Sequence, residues 1–175
     1  MSNTMRKIVS IITSIFTLIA VVFAILLVGV RFVGLQPYCV LSGSMEPTYH
    51  VGSLIYVVDV DPKQLKLNDP VTFMVSDSMV ATHRIVDIHQ DEEDANIIRF
   101  TTKGDANESR DGDLLHMNNV IGKPVFSIPL LGYVANFIQT PPGLYIAIAF
   151  VAILLILVFI PDTTKEKGGK KNEKC

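Results

Sequence analysis

Apolar residues gather in two blocks near the ends of the chain, and between them the pattern changes period. From Ile8 to Val30 the only polar side chains are Ser10, Thr13, Ser14 and Thr17. A helix needs about 20 such residues to cross the hydrocarbon core of a bilayer, so this block predicts a spanning helix over 8–31. A cleaved secretory signal has a shorter apolar core, about 7–15 residues, and ends in a small-residue site. Here Arg31, Phe32 and Val33 follow instead, which favours an uncleaved anchor. The second block, Leu144 to Ile160, comes after Pro141-Pro142-Gly143 and has no polar face. Lysines 165, 167, 170, 171 and 174 follow it, so it predicts a second span over 141–160.

Between the blocks the period shortens to that of strands. Tyr38–Leu41, Ser53–Val58, Val71–Val75, Val80–Ile88, Ile97–Thr102 and Val120–Ile128 are rich in Val, Ile, Thr, Phe and Tyr. Asp61-Pro62, Asn68-Asp69-Pro70 and Gly104-Asp105-Ala106-Asn107 punctuate them as turns. Gln90 to Asn96 reads as an acidic hairpin or loop, and no long amphipathic helix is expected between the spans. The expected fold is mainly β: a compact exported domain over 32–140, flanked by N- and C-terminal transmembrane helices.

Charge gives this plan an orientation. Basic residues beside a span stay on the cytoplasmic side. Arg6 and Lys7 therefore place segment 1–7 inside, and the tail lysines place 161–175 inside. The expected location is the cell membrane, multi-pass, with 32–140 outside. That segment holds fourteen Asp and Glu against seven Lys and Arg, a split hidden by the formal net charge of -2. Cys39 would lie outside and Cys175 inside, so no disulfide can join them within one chain. Cys39 is then read as a small buried apolar residue.

Composition removes several function classes. The chain has no Cys/His cluster of zinc spacing and no Gly-rich phosphate loop. No metal and no cofactor is expected. Its basic residues do not interleave with aromatics on a folded segment, so no nucleic-acid partner is expected.

Three stretches carry chemistry. Ser42-Gly43-Ser44-Met45-Glu46-Pro47-Thr48 follows a predicted strand, and its turn can present the Ser44 hydroxyl. Such a hydroxyl needs a neighbouring base. Among His50, His83, His89 and His116, only His83 sits mid-strand between Thr82 and Arg84, where a sheet can hold its ring. A base histidine works better with a carboxylate fixing its tautomer, and both Asp105 and Asp111 qualify by position.

Together these stretches resemble the signal peptidase I family. Residues 42–48 look like its nucleophile box. Gly52-Ser53-Leu54-Ile55 and Asn68-Asp69-Pro70-Val71 are similar to the strands after it, and Lys103-Gly104-Asp105-Ala106-Asn107 with Asp111 to its acidic box. The common bacterial branch has a lysine base. Thr82-His83-Arg84-Ile85-Val86 instead resembles the branch of the endoplasmic reticulum, archaea and some Gram-positive, often spore-forming bacteria. The resemblance implies a serine endopeptidase with Ser44 as nucleophile, His83 as base and Asp111 as third member. Asp105 becomes a support or a second essential carboxylate. It further implies Ser42, Met45, Tyr38 and Val40 on the substrate side, Ser42 near the oxyanion.

The implied substrates are exported preproteins, cut after small residues at −1 and −3 of their signal peptides on the outer membrane face. The lipid bilayer and the secretion translocon are the implied partners. An extended peptide would pair with an open strand edge, around Tyr38–Leu41 and Val80–Ile85. The competing reading is a non-catalytic membrane protein with an exported β-domain, an assembly or adhesion factor. A self-cleaving regulator of related fold would bring a DNA-binding domain and a lysine base, and neither is present in the sequence.

Overall fold

In the computed structural model, residues 3–91, 94 and 96–166 are described. Residues of the lysine-rich tail and the second cysteine (Lys167, Lys170, Lys171, Lys174 and Cys175) lie outside them, as do Glu92 and Glu93 of the acidic hairpin. Among the described residues two compact units are formed, Val28–Asn136 and a second from residues 3–27 with 137–166.

The larger unit is built on seven strands: β1 (Leu35–Cys39), β2 (Leu54–Val58), β3 (Pro70–Ser76), β4 (Met79–Gln90), β5 (Ile98–Lys103), β6 (Leu115–His116) and β7 (Val120–Ile128). They form one sheet in the order β1-β2-β7-β3-β4-β5-β6, every pairing antiparallel. The mainly β expectation holds. Its strands arise where β-branched and aromatic residues cluster, because these pack well on a pleated surface. β2, Leu-Ile-Tyr-Val-Val, is buried along almost its whole length, as a central apolar run should be. β1 begins three residues before the predicted start, on the far side of Pro37. An edge strand tolerates the missing N–H of proline, and β1 is an edge.

Two apolar clusters form the core. Leu65, Val71, Phe73, Ile85, Phe100 and Leu115 fill one, under β3, β4 and β5. Met45, Tyr49, Ile55 and Val57 fill the other, with Tyr38, Val40 and Ile121 packed against them. The second cluster ties the loop after β1 to β2.

The pairing of β4 changes partway along. Met79 to Arg84 pairs with β3, while Arg84 to Gln90 pairs with β5. Residues 79–83 therefore have a strand on one side only, and β1 is likewise paired only with β2.

A helix that the pattern did not predict, α2 (Leu131–Gln139), follows β7. Leu131, Gly132 and Ala135 are buried, but Tyr133, Val134 and Phe137 are exposed, so apolar residues occupy both faces and leave no polar stripe to read. Gly52 allows its seat: at φ +81 a side chain would be strained, and a Cβ there would overlap the Tyr133 ring.

In the smaller unit, α1 (Asn3–Leu27) carries its apolar side chains outward, Ile11 at 60% and Leu18 at 65% exposed. A helix of a soluble core would bury them. Lys7–Leu27 is long and apolar enough to cross a membrane. Thr17 donates its hydroxyl to the Thr13 carbonyl at 2.8 Å, so this polar group is satisfied within the helix. α3 (Gly143–Glu166) meets α1 through Phe16 and Phe150, whose rings pack edge to face at 6.0 Å. Its apolar described stretch, Gly143–Val158, reaches spanning length only when counted with α2.

Candidate active site

The Ser44 hydroxyl is held by a loop anchored from three sides. Tyr49 N–H donates to the Met45 carbonyl at 2.9 Å and Glu46 N–H to the Gly43 carbonyl at 3.0 Å, winding residues 43–49 into tight turns. Met45 is 2% exposed, and its side chain sits in the core cluster with Ile55 and Val57. The third fixture is the acidic loop: Ala106 N–H donates to the Ser44 carbonyl at 2.9 Å. The two chains approach so closely that a Cβ on Gly104 would stand 2.5 Å from that same carbonyl oxygen.

His83 reaches this hydroxyl from β4. Its Nε2 lies 3.2 Å from Ser44 Oγ, and its Nδ1 lies 2.6 Å from Asp111 Oδ2. A carboxylate can only accept, so Nδ1 carries the proton and Nε2 presents its lone pair to the Ser44 O–H. The ring is mostly enclosed, with its side chain 15% exposed and the edge of Phe73 packed at 6.2 Å. Asp111 is fixed in turn by Thr102. The Thr102 hydroxyl donates to Asp111 Oδ2 at 2.6 Å, and Asp111 N–H donates to the Thr102 carbonyl at 2.8 Å. Thr102 is 1% exposed. Hydroxyl, imidazole, carboxylate and a second hydroxyl thus form one continuous hydrogen-bonded line.

Asp105 goes elsewhere. Arg84 grips it with two bonds, Nε to Oδ1 at 2.7 Å and Nη2 to Oδ2 at 2.6 Å, and Thr48 donates its hydroxyl to the same carboxylate. Arg84 Nη1 also donates to the Asn68 carbonyl at 2.7 Å. The Arg84 hydrogen bonds, with help from Thr48, hold the Asp105 carboxyl below the usual carboxylate range, and the pairing raises Arg84. This second network joins the nucleophile loop at Thr48, β4 at the residue after His83, and the acidic loop. It braces the parts that the first network connects.

The chain resembles named proteins over this region. It is 40% identical over 114 residues to signal peptidase I W of Bacillus subtilis, covering 61% of this chain and 58% of that protein. It is 31% identical over 127 residues to the signal peptidase complex catalytic subunit SEC11C of Rattus norvegicus, covering 68% and 65%. The human SEC11C subunit is 32% identical over 111 residues, covering 59% and 57%. Over this region the chain is similar to type I signal peptidases. No family model matches it. The matches span 57% to 65% of the length of these three relatives.

In this signal peptidase relative, the other residues singled out from sequence fall at different depths. Ser42 is exposed, its Oγ 3.4 Å from Ser44 Oγ. Tyr38 and Val40 are half-buried and pack against the Met45 cluster. The Met45 side chain is a core anchor beneath the loop and presents almost no surface to a ligand. The edge expected along Val80–Ile85 is open only as far as His83, because β5 occupies that side from Arg84 onward. Cys39 is half-buried, with its thiol raised by burial and 3.5 Å from the Gly132 carbonyl. Among the described residues, no three His, Cys, Asp or Glu side chains gather as a metal site requires.

Thr102, Arg84 and Thr48 did not stand out in the sequence as members of a site. A threonine in a strand, as Thr102 is, is ordinary, and the available signals were the position of Arg84 next to the candidate base and of Thr48 at the end of the Ser44 stretch.

Proposed function

We propose that this protein is a membrane-anchored serine endopeptidase that removes N-terminal signal peptides from exported preproteins. The observation that carries the reading is the unbroken line from Ser44 Oγ through both His83 nitrogens to Asp111. Similarity to named signal peptidases supports the substrate class.

Ser44 Oγ attacks the carbonyl carbon of the residue at −1 while His83 Nε2 takes its proton. Asp111 stabilises the imidazolium that results and keeps the ring oriented. The tetrahedral oxyanion accepts from the Ser44 N–H, with the Ser42 hydroxyl as a second donor. His83 then gives its proton to the leaving amine, and the signal peptide remains as an ester on Ser44. Water, deprotonated by the same imidazole, releases it. Asp105 and Arg84 act as positioning residues that keep the nucleophile loop against β4.

The client chain binds extended, adding its backbone hydrogen bonds to the open edges of β1 and of residues 79–83. Small side chains at −1 and −3 face Tyr38 and Val40. On this reading α1 is an uncleaved anchor, the larger unit lies outside the membrane, and α3 is a second span that returns the C-terminus to the cytoplasm. The bilayer and the secretion translocon are its surroundings.

The test is cleavage of a model preprotein by the full chain in liposomes. Ser44→Ala should lower kcat by about 10⁶ while leaving thermal unfolding unchanged. Undiminished cleavage by a folded Ser44→Ala variant would overturn the assignment.

A further inference from the structure

A cavity of about 320 Å³ lies on the sheet face that carries His83. It is at the low end of the volume of small-ligand sites, about 300–1,000 Å³. Phe73, Ala81 and Leu115 line it from the core, Leu114 and Asp113 lie along it from the acidic loop, and His83 with Asp111 also border it. Phe73 and Leu115 are almost fully buried, whereas Leu114 is 48% exposed, so the cavity runs from the core to the surface. No step of the proposed mechanism uses it.

Its position relates it to the open edge. Val71 pairs with His83 and Phe73 with Ala81, so these four side chains share one face of the sheet. Thr72 and Thr82, also paired, share the other face and bond to each other at 2.8 Å. A strand added along residues 79–83 must alternate in the same way. If −1 and −3 turn to the Val40 side, −2 turns to the side of Ala81. Pairing along β4 ends at His83, so only the residues on one side of the cut can run past the cavity.

We infer that this cavity is a subsite for the side chain at −2 of the client, taking a sizeable apolar group and excluding an acidic one. The apolar preference comes from Phe73, Ala81, Leu114 and Leu115. The exclusion comes from Asp113 and Asp111, both carboxylates beside the same space, with no Lys or Arg among the lining residues to offset them. The inference rests on the protease reading and deepens it.

The experiment uses the full chain in liposomes and one preprotein with Leu, Ala or Asp at −2. The wild type should cleave the Leu form about tenfold faster in kcat/KM than the Ala form, the range expected of a hydrophobic pocket, and should disfavour the Asp form. Ala81→Leu fills the cavity and should bring the Leu-to-Ala ratio close to one. Asp113→Asn changes only an exposed loop position and should raise relative cleavage of the Asp form several-fold. It serves as the test should Ala81→Leu fail to fold. Equal wild-type rates for all three clients, or ratios unmoved by the variants, would overturn the subsite. The protease reading fails separately, if no client is cut in a Ser44-dependent manner.

Discussion

Two carboxylates stand near the candidate base, and replacing each by its amide should produce opposite kinds of damage. Asp105 accepts two bonds from Arg84 and one from Thr48, with the Arg84 and Asp105 side chains 27% and 15% exposed. In Asp105→Asn one bond to Arg84 becomes an N–H facing an N–H, and the guanidinium loses its counter-charge. Breaking a fully buried pair costs about 3–5 kcal/mol. This one is partly solvated, so about 2 kcal/mol is expected. For a domain of this size that lowers Tm by about 8–15 °C. The sign of the pH dependence follows from the depressed carboxyl of Asp105. Its stabilisation is fully present above the ordinary carboxylate range and disappears as pH falls through the lower folded-state value. The Tm gap between wild type and variant should therefore close in acid. Asp111→Asn should barely move Tm, yet lower kcat by on the order of 10⁴, because the amide no longer holds the required tautomer. Asp105→Asn, assayed well below its own Tm, should lose about tenfold or less, the share of one mispositioned contact. Thermal unfolding in detergent from pH 3 to 8, beside preprotein cleavage at pH 7, measures both. A folded Asp105→Asn protein that loses 10⁴ while Asp111→Asn stays active would refute the division of labour.

Thr102→Val removes one donor from Asp111 at nearly constant volume. A hydrogen bond to a charged group is worth about 1.5–3 kcal/mol, so kcat/KM should fall about tenfold or more, with Thr102→Ser restoring most of it. Equal rates for the Val and Ser variants would remove Thr102 from the positioning line. Gly104→Ala forces a methyl to within 2.5 Å of the Ser44 carbonyl oxygen, so the acidic loop must move away. Cleavage should fall more steeply than Tm, which parallel assays of the one variant would detect.

The sequence made the β framework legible wherever strands are long and β-branched, as in β2, β3, β4 and β7. β6 was missed because two residues carry no period. α2 was missed because nine residues with apolar groups on both faces resemble a buried strand as much as a helix. A Ser-Gly-Ser turn, a mid-strand histidine and an aspartate-rich turn are each ordinary alone, and the three stretches stood out because they occur together and in order between the apolar blocks. Which aspartate faces which partner was not legible from residue positions, and only the family resemblance singled out Asp111. The pairing depends on residues 104–111 folding back so that Ala106 meets Ser44 while Asp111 meets Thr102. The brace was equally hidden, since Arg84, Thr48 and Asp105 are far apart in the chain and meet only through the antiparallel register.

On the proposed protease reading, the change of neighbours along β4 decides what kind of chain could be cut. From Met79 to His83 the strand has amide and carbonyl groups on one side without a strand to receive them. An α-helix has little to offer such an edge, for its own amides and carbonyls are already bonded along its axis. A client that keeps its helix across the cut site, as α1 does through Leu27, would slide past the nucleophile intact. A client whose helix unwinds a few residues earlier would be captured there. The choice between a protein that stays anchored and one that is released can thus be set by where its helix frays.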